Sequence, residues 1–498
     1  MENRKTKIVS VIAIVAFALT IITATYAYFN AQVGDAAAAD IKVNANTVDT
    51  FTFATGSQIS FNINQENFAS GTGNQSGSTF ASALLTANNK TNTATEHYYL
   101  YLNIENNSFT YSIDTSTPEI IMTIKDSSGT EVTNISTLNH VIVTGANGTQ
   151  VSGYDITSKS GVITLFNNRE ITTTSSKEEK WNITITFVNY DQNQKANAGK
   201  SMSAKLMIQS TKIPETIADV CSSGDNLAIC LATLSSKSAS SLSKIYYHDS
   251  NLENGAGDNS YRYAGASSEV NNYLYFSGVT DRFQWGYYRI IGVFNGQVKL
   301  ITQNFLPDSP SWDNNSSNTW SAATSNALLN GSSFLTYLGD TANKIAKTTW
   351  KVGGNTWDNI GMKKASIAYQ NEINSPTPGS NSSTGETEYQ AKIGLMYVSD
   401  YGFAANPVAW KYVLNGYGMT ASNGIAVNKQ NWLFNDNYEW TITRVSDVAR
   451  SVFQIHNTGL IRSAPVINAG LMRPTFYLNG DVTYVSGTGT SSDPILVN

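Results

Sequence analysis

The sequence predicts a mainly β protein. A first domain of antiparallel strands is followed by a mixed α+β domain, and an apolar helix precedes both. Three observations carry this. Short runs rich in β-branched and aromatic residues recur from Asp40 to about Gln209, separated by Gly, Asn, Asp and Ser clusters. From Ile245 onward, further strand-like runs are interrupted by helical patterns. One uncharged apolar run, Ile8 to Phe29, stands alone near the start.

That run comes after Arg4, Lys5 and Lys7. At about 1.5 Å per residue it is long enough to cross roughly 30 Å of hydrocarbon as a helix. A basic flank, an apolar stretch and small residues beyond it are also the three regions of a secretory signal. Residues 1–31 are therefore read as a signal peptide or a membrane anchor, the latter type II-like with its basic end inside. Either fate places the chain beyond Asn30 outside the cytoplasm, at the cell surface or secreted. The segment implies two partners, the membrane and a signal peptidase.

Composition narrows the function. Charged residues make up 14% of the chain, against about 25% in an ordinary soluble protein, so the surface is polar without being charged. The net charge is −5 and no basic cluster occurs after the first residues, which argues against nucleic acid as a partner. His97, His140, His248 and His456 are scattered, and no Cys/His spacing resembles a zinc site. GxSxG, HExxH and a Gly-rich phosphate loop are missing from the sequence. The expectation is a protein that is not an enzyme, with a hydrolase using scattered carboxylates as the remote alternative.

In the first domain, residues 32–213, several runs alternate in period two. Trp181, Ile183, Ile185 and Phe187 fall on one side of a strand, with Asn182, Thr184 and Thr186 opposite. So many short runs predict two packed antiparallel sheets, with a helical turn or two at Ser78–Ala87 as the one interruption. The motif TYAYFNA, the small-residue spacer QVGDAAAAD and a first strand at Asp40–Val43 resemble the TasA/camelysin family of Gram-positive exported proteins. The resemblance implies an extracellular, jelly-roll-like β-sandwich released by a dedicated signal peptidase, and in some members assembly into biofilm fibres. It also implies cleavage near Ala27, with Thr25 and Ala27 as the small residues before the cut. Ala31 stands where the family carries an acidic residue, which leaves the position of the cut open.

Residues 214–244 read as a short helical connector. Leu227, Cys230, Leu231 and Leu234 recur at i, i+3, i+4 and i+7, with Asp225 as the expected N-cap. In an exported chain, Cys221 and Cys230 are expected to form a disulfide, worth about 2–3 kcal/mol for so short a loop. Two reduced thiols packed in a core are the alternative.

The second domain, 245–498, has its clearest local signal in YRIIGVFNGQVKLITQ (288–303), where Asn295-Gly296 predicts a type I′ hairpin turn. A helical pattern over ATSNALLNGSSFLTYLGD puts Leu328, Leu335 and Leu338 on one face, and 370–388 reads as an exposed loop. The blocks YYHDSNLENGAGDNSYRYAGA, YYRIIGVF, IGLMYVSDYGFAA, EWTITR and MRPTFYLNGDVTYVSGTGTSSDPILV look like a domain repeated in exported proteins of gut Firmicutes. Its layout is similar to the C-type-lectin-like fold, and the family brings no established activity. The formylglycine-generating enzymes share that fold, but their chemistry uses cysteines and residues 231–498 contain none.

Among candidate functional residues, Asp249, Asn251, Glu253 and Asp258 offer hard oxygen ligands for Ca2+, although the spacing misses the EF-hand pattern and a solvated turn is the alternative. Trp312 and Trp320 flank a polar loop and are candidates for stacking on a sugar face, while the other tryptophans of this domain are expected to fill the core. Arg473, before Pro474, is expected to tie loops together through its guanidinium. The leading expectation is a cell-surface or secreted protein presenting a module for an extracellular glycan or protein ligand. The alternative is a fibre subunit that self-assembles by pairing at a sheet edge.

Overall fold

The computed structural model describes residues 49–498 except 64–72, 89–91, 277–286, 308, 361, 380–385 and 419–425. The N-terminal apolar run, Thr25, Ala27 and the strand expected at Asp40–Val43 lie outside the described residues. Among the described residues no helix is long and apolar enough to cross a membrane. The chain is mainly β, with antiparallel sheets, and divides into two units, Met1–Lys212 and Ile213–Asn498.

The described strands of the first unit are β1 (Thr50–Thr55), β2 (Ile59–Ile63), β3 (Gln75–Thr86), β4 (Ala94–Asn107), β5 (Ile120–Lys125), β6 (His140–Thr144), β7 (Gln150–Asp155), β8 (Gly161–Thr173), β9 (Ser176–Phe187) and β10 (Lys200–Gln209). They form a six-stranded sheet in the order β1-β3-β9-β5-β7-β6 and a four-stranded sheet in the order β2-β10-β4-β8. Ile183, Ile185 and Phe187 of β9 share one core with Leu100, Leu102, Ile104 and Met202 of the other sheet. Trp181 also belongs to that core, and its Nε1 donates to the Tyr98 hydroxyl at 2.8 Å.

Ser78–Ala87 is not helical. Gln75 to Thr86 pair continuously with β9. Ala81, Ala83 and Leu85 turn inward while Leu84 is exposed, the period of a strand. The Ala- and Leu-rich composition favours a helix locally, and cross-strand pairing overrides it.

In the second unit the first helix, α1 (Leu227–Lys237), buries Leu227, Cys230, Leu231 and Leu234, the expected stripe. Its cap is Asn226, which accepts from the Ile229 N–H at 3.1 Å, rather than Asp225, which accepts from Ser222 N–H instead. Cys221 and Cys230 form a disulfide with Cα atoms 5.7 Å apart. The connector is part of the second unit. Ile217, Leu227, Leu231 and Leu234 belong to the main core of the second unit.

The later strands are β11 (Ile245–His248), β12 (Ser260–Tyr263), β13 (Tyr273–Phe276), β14 (Tyr288–Phe294), β15 (Gln297–Thr302), β16 (Thr348–Lys351), β17 (Gly354–Asn355), β18 (Glu388–Ala391), β19 (Ile393–Gly394), β20 (Glu439–Val445), β21 (Ser451–Ile455), β22 (Ile461–Pro465), β23 (Thr475–Tyr477), β24 (Tyr484–Ser486) and β25 (Ile495–Val497). The largest sheet runs β19-β23-β15-β14-β13-β25-β24, with β12 pairing β14 and β11 pairing β12; β13 and β25 are parallel. A four-stranded sheet, β17-β20-β21-β22, and the pair β16-β18 complete it. The β14–β15 hairpin turns on Asn295 (φ 50°) and Gly296 (φ 78°), the left-handed pair a type I′ turn requires.

The helical pattern after the tryptophan loop splits at Gly331 into α2 (Thr324–Leu329) and α3 (Ser332–Tyr337). The split rotates the stripe, so that Leu329, Phe334 and Leu338 are buried and Leu328 is exposed. Two further helices, α4 (Ala365–Tyr369) and α5 (Val398–Ala404), position the candidate site.

Candidate functional site

The sequence candidates disperse. Trp312 and Trp320 are 0% and 1% exposed, so neither ring can meet a sugar. They pack on each other at 5.5 Å between centroids, and Trp312 Nε1 donates to the Thr441 carbonyl at 3.0 Å. The polar loop between them is wound around Asp313, which accepts from the N–H groups of Asn315, Ser317 and Thr324. Its polarity satisfies its own backbone. Trp350, Trp410 and Trp440 are equally buried.

Among the described residues the carboxylates of the acidic loop do not converge on one another. Asp249 Oδ1 accepts from the N–H groups of Asn251 and Leu252, a turn-capping role. The Glu253 carboxylate accepts from the Asn254 side chain. Asp258 faces inward, where Oδ2 accepts from Arg262 Nη2 at 2.6 Å and Oδ1 from the N–H and hydroxyl of Ser260. Asp225 lies beside Cys221 and Cys230, whose sulfurs are bonded to each other.

Arg473 is buried. Its Nε and Nη2 donate to the two carboxylate oxygens of Glu439 at 2.8 and 2.9 Å, and Nη2 also reaches the Leu433 carbonyl. Burial pushes the Glu439 carboxyl above its ordinary value, with Arg473 offsetting part of the rise.

A site emerges elsewhere, in a cavity of about 230 Å³ where β12, β15 and β23 meet the start of α5. Lys299, in the middle of β15, is 1% exposed and donates to Asp400 Oδ2 at 2.6 Å. Asp400 is held by its place in the first turn of α5, where Oδ2 also accepts from the Tyr397 N–H. Arg262 Nη1 stands 3.8 Å from Asp400 Oδ1, so half-buried Asp258 and buried Arg262, Asp400 and Lys299 form one chain of alternating charge.

Aromatic faces enclose both cations. The Lys299 ammonium lies 4.4 Å from the Tyr397 ring centre and 5.3 Å from that of Tyr477; the Arg262 guanidinium lies 4.6 Å from Phe294. Burial draws the Lys299 ammonium below its ordinary value, against the pull of Asp400. Burial pushes the Asp258 carboxyl up, but Arg262 and Ser260 outweigh it and hold it below the usual range. Burial raises Tyr397 and Tyr477 well above the ordinary phenol value, so both keep their protons.

Behind this floor sits Glu372. The segment expected as an exposed loop begins instead with a π-type turn, Gln370–Asn374, continuing α4, and it carries Glu372 into the interior. The carboxylate accepts from Ser399 N–H at 3.1 Å and from the Thr443 hydroxyl at 2.7 Å. Burial pushes it up from 4.5 to about 7. A carboxyl raised on folding stabilises the native state fully below 4.5, and that contribution is lost as pH rises through about 7. Relative to Glu372→Gln, the wild type is therefore expected to lose up to about 3 kcal/mol of stability in urea unfolding between pH 5 and pH 8, a comparison in which His248, held below its ordinary value by burial and acting in the opposite sense, cancels. An unchanged pH dependence in the variant would refute the assignment.

Of the sequence candidates only Asp258 lines this cavity. Arg262, Lys299, Glu372 and Asp400 were missed. The signal was present for two of them, since Lys299 interrupts the apolar run Val298–Ile301 and Arg262 lies four residues after Asp258. Compared with known families and curated proteins, the chain matches no family model and no curated protein.

Proposed function

We propose that the protein is an exported, non-enzymatic surface protein of the TasA/camelysin-like kind. In this reading the first unit is a jelly-roll-like sandwich, and the second is a C-type-lectin-like module that binds an extracellular ligand in the cavity around Lys299. The observation that carries the reading is the cavity itself. It is partly open to solvent, lined by Tyr369, Tyr397 and Tyr477, rimmed by Asn295, Gln297 and Thr349, and floored by paired charges. Such a mixture of aromatic faces and fixed polar groups suits recognition of a small hydroxyl-rich ligand.

Export is supported by the apolar run Ile8–Phe29 behind its basic flank. Glycan arrays probed with the full chain in mild detergent should give a defined set of positives. Those positives should fade when Asn295 or Gln297 at the rim is replaced by a bulky residue. Silence across the array and across pull-downs from cell-surface extracts would sink the reading.

A further inference from the structure

The donor and acceptor inventory of the cavity specifies its ligand further, resting on the reading that the cavity is a binding site. Three of the four carboxylate oxygens of Asp258 and Asp400 already accept hydrogen bonds from the protein. Asp400 Oδ2 takes Lys299 and the Tyr397 N–H, Asp258 Oδ1 takes Ser260, and Asp258 Oδ2 takes Arg262. The fourth, Asp400 Oδ1, faces Arg262 Nη1 at 3.8 Å.

The donors are in surplus. An ammonium has three N–H groups, and Asp400 is the one hydrogen-bond acceptor of Lys299 among the described residues. Arg262 Nη1 has no acceptor within hydrogen-bond distance among them, its nearest carboxylate oxygen being that at 3.8 Å. The Tyr477 hydroxyl lines the cavity, keeps its proton, and has no hydrogen-bond partner among the described residues. A ligand that completes this site brings acceptors, and two of the three waiting donors are cations. A ligand amine would find one carboxylate oxygen without a hydrogen bond, Asp400 Oδ1, and would oppose both cations.

We infer that the cavity takes a carboxylate-bearing monosaccharide unit, its carboxylate received by Lys299, Arg262 and Tyr477 and its hydroxyls by the amide and hydroxyl rim. The volume of about 230 Å³ is below the roughly 300–1,000 Å³ of pockets for drug-sized ligands, which limits the occupant to about one sugar ring. Charge-assisted bonds to a carboxylate are the strong kind.

The test is calorimetric titration of the full chain with N-acetylneuraminate, glucuronate and galacturonate, beside N-acetylglucosamine, glucose and glucosamine. At least one acidic sugar is expected to bind ten-fold or more tightly than every neutral or amino sugar, and comparison among the acids separates the sialic from the uronic source. Tyr477→Phe, which removes one hydroxyl and no charge, should weaken the acidic ligand about three- to ten-fold with the melting temperature unchanged. Lys299→Met should abolish binding, with folding checked by near-UV dichroism.

Equal binding of acidic and neutral sugars would overturn the ligand class and leave the binding reading standing. Acid binding indifferent to Tyr477→Phe would overturn the place assigned to it. Failure of every sugar to bind the folded chain would overturn both.

Discussion

A chain beginning at Ile245 is expected to fail to fold, whereas one beginning at Ile213 should melt cooperatively. The stretch between them reads in the sequence as a short helical connector between two strand-dense regions. The structure makes it part of the core. Leu227, Leu231 and Leu234 are fully buried with Tyr263, Val293 and Val298 in one cluster, and Gly224 and Leu227 donate backbone hydrogen bonds to Tyr484 and Val482 near the chain's end. Fully burying one aliphatic side chain is worth about 1.5–3 kcal/mol. Losing Ile217 and three leucines costs several kcal/mol even after the ordering entropy of the helix is returned. That is on the scale of the whole net stability of a domain, about 5–15 kcal/mol. Near-UV dichroism and limited proteolysis of the two fragments decide the matter. A 245–498 fragment as cooperative and protease-resistant as 213–498 would show that the helix is an accessory.

The sequence made legible whatever local physics decides. The period-two alternation of Trp181–Phe187, the Asn295-Gly296 turn and the stripe of α1 each depend on neighbours a few residues away, and each stands in the structure as read. Ser78–Ala87 misled because its composition favours a helix while its pairing partner, β9, lies some hundred residues on. The tryptophan loop misled for a related reason. Its polar residues looked ligand-facing, yet Asp313 gathers the loop's own N–H groups and both rings turn inward.

The candidate site was the least legible part. Asp258 and Arg262 come from one strand entry, Lys299 from a hairpin and Asp400 from a helix start a hundred residues later. Period and spacing carry no record of that convergence. The one local clue was a lysine among apolar strand residues, which physics permits in a core only if a partner is waiting.

Replacing Arg473 tests the same rule at a second buried ion pair. Arg473 and Glu439 are 4% and 1% exposed, and their paired bonds tie the start of β20 to the approach of β23, joining two sheets of the second unit. Arg473→Met would leave a buried carboxylate with only Asn435, at 2.6 Å, among the described residues, and would strip the Leu433 carbonyl of a donor. Removing one member of such a pair costs about 3–5 kcal/mol, while replacing both members by apolar groups is often neutral. Urea unfolding of Arg473→Met, Glu439→Leu and the double variant should therefore show the double variant recovering most of the single loss. The loss in Arg473→Met should also depend on pH. Burial already raises the Glu439 carboxyl with Arg473 present, and without it the group rises further and takes up a proton on folding. Stability held at low pH is then lost as pH climbs, so the deficit is expected to be larger at pH 8 than at pH 5. A deficit independent of pH, or a double variant as unstable as the single, would mean that Arg473 acts through its packing and not through its charge.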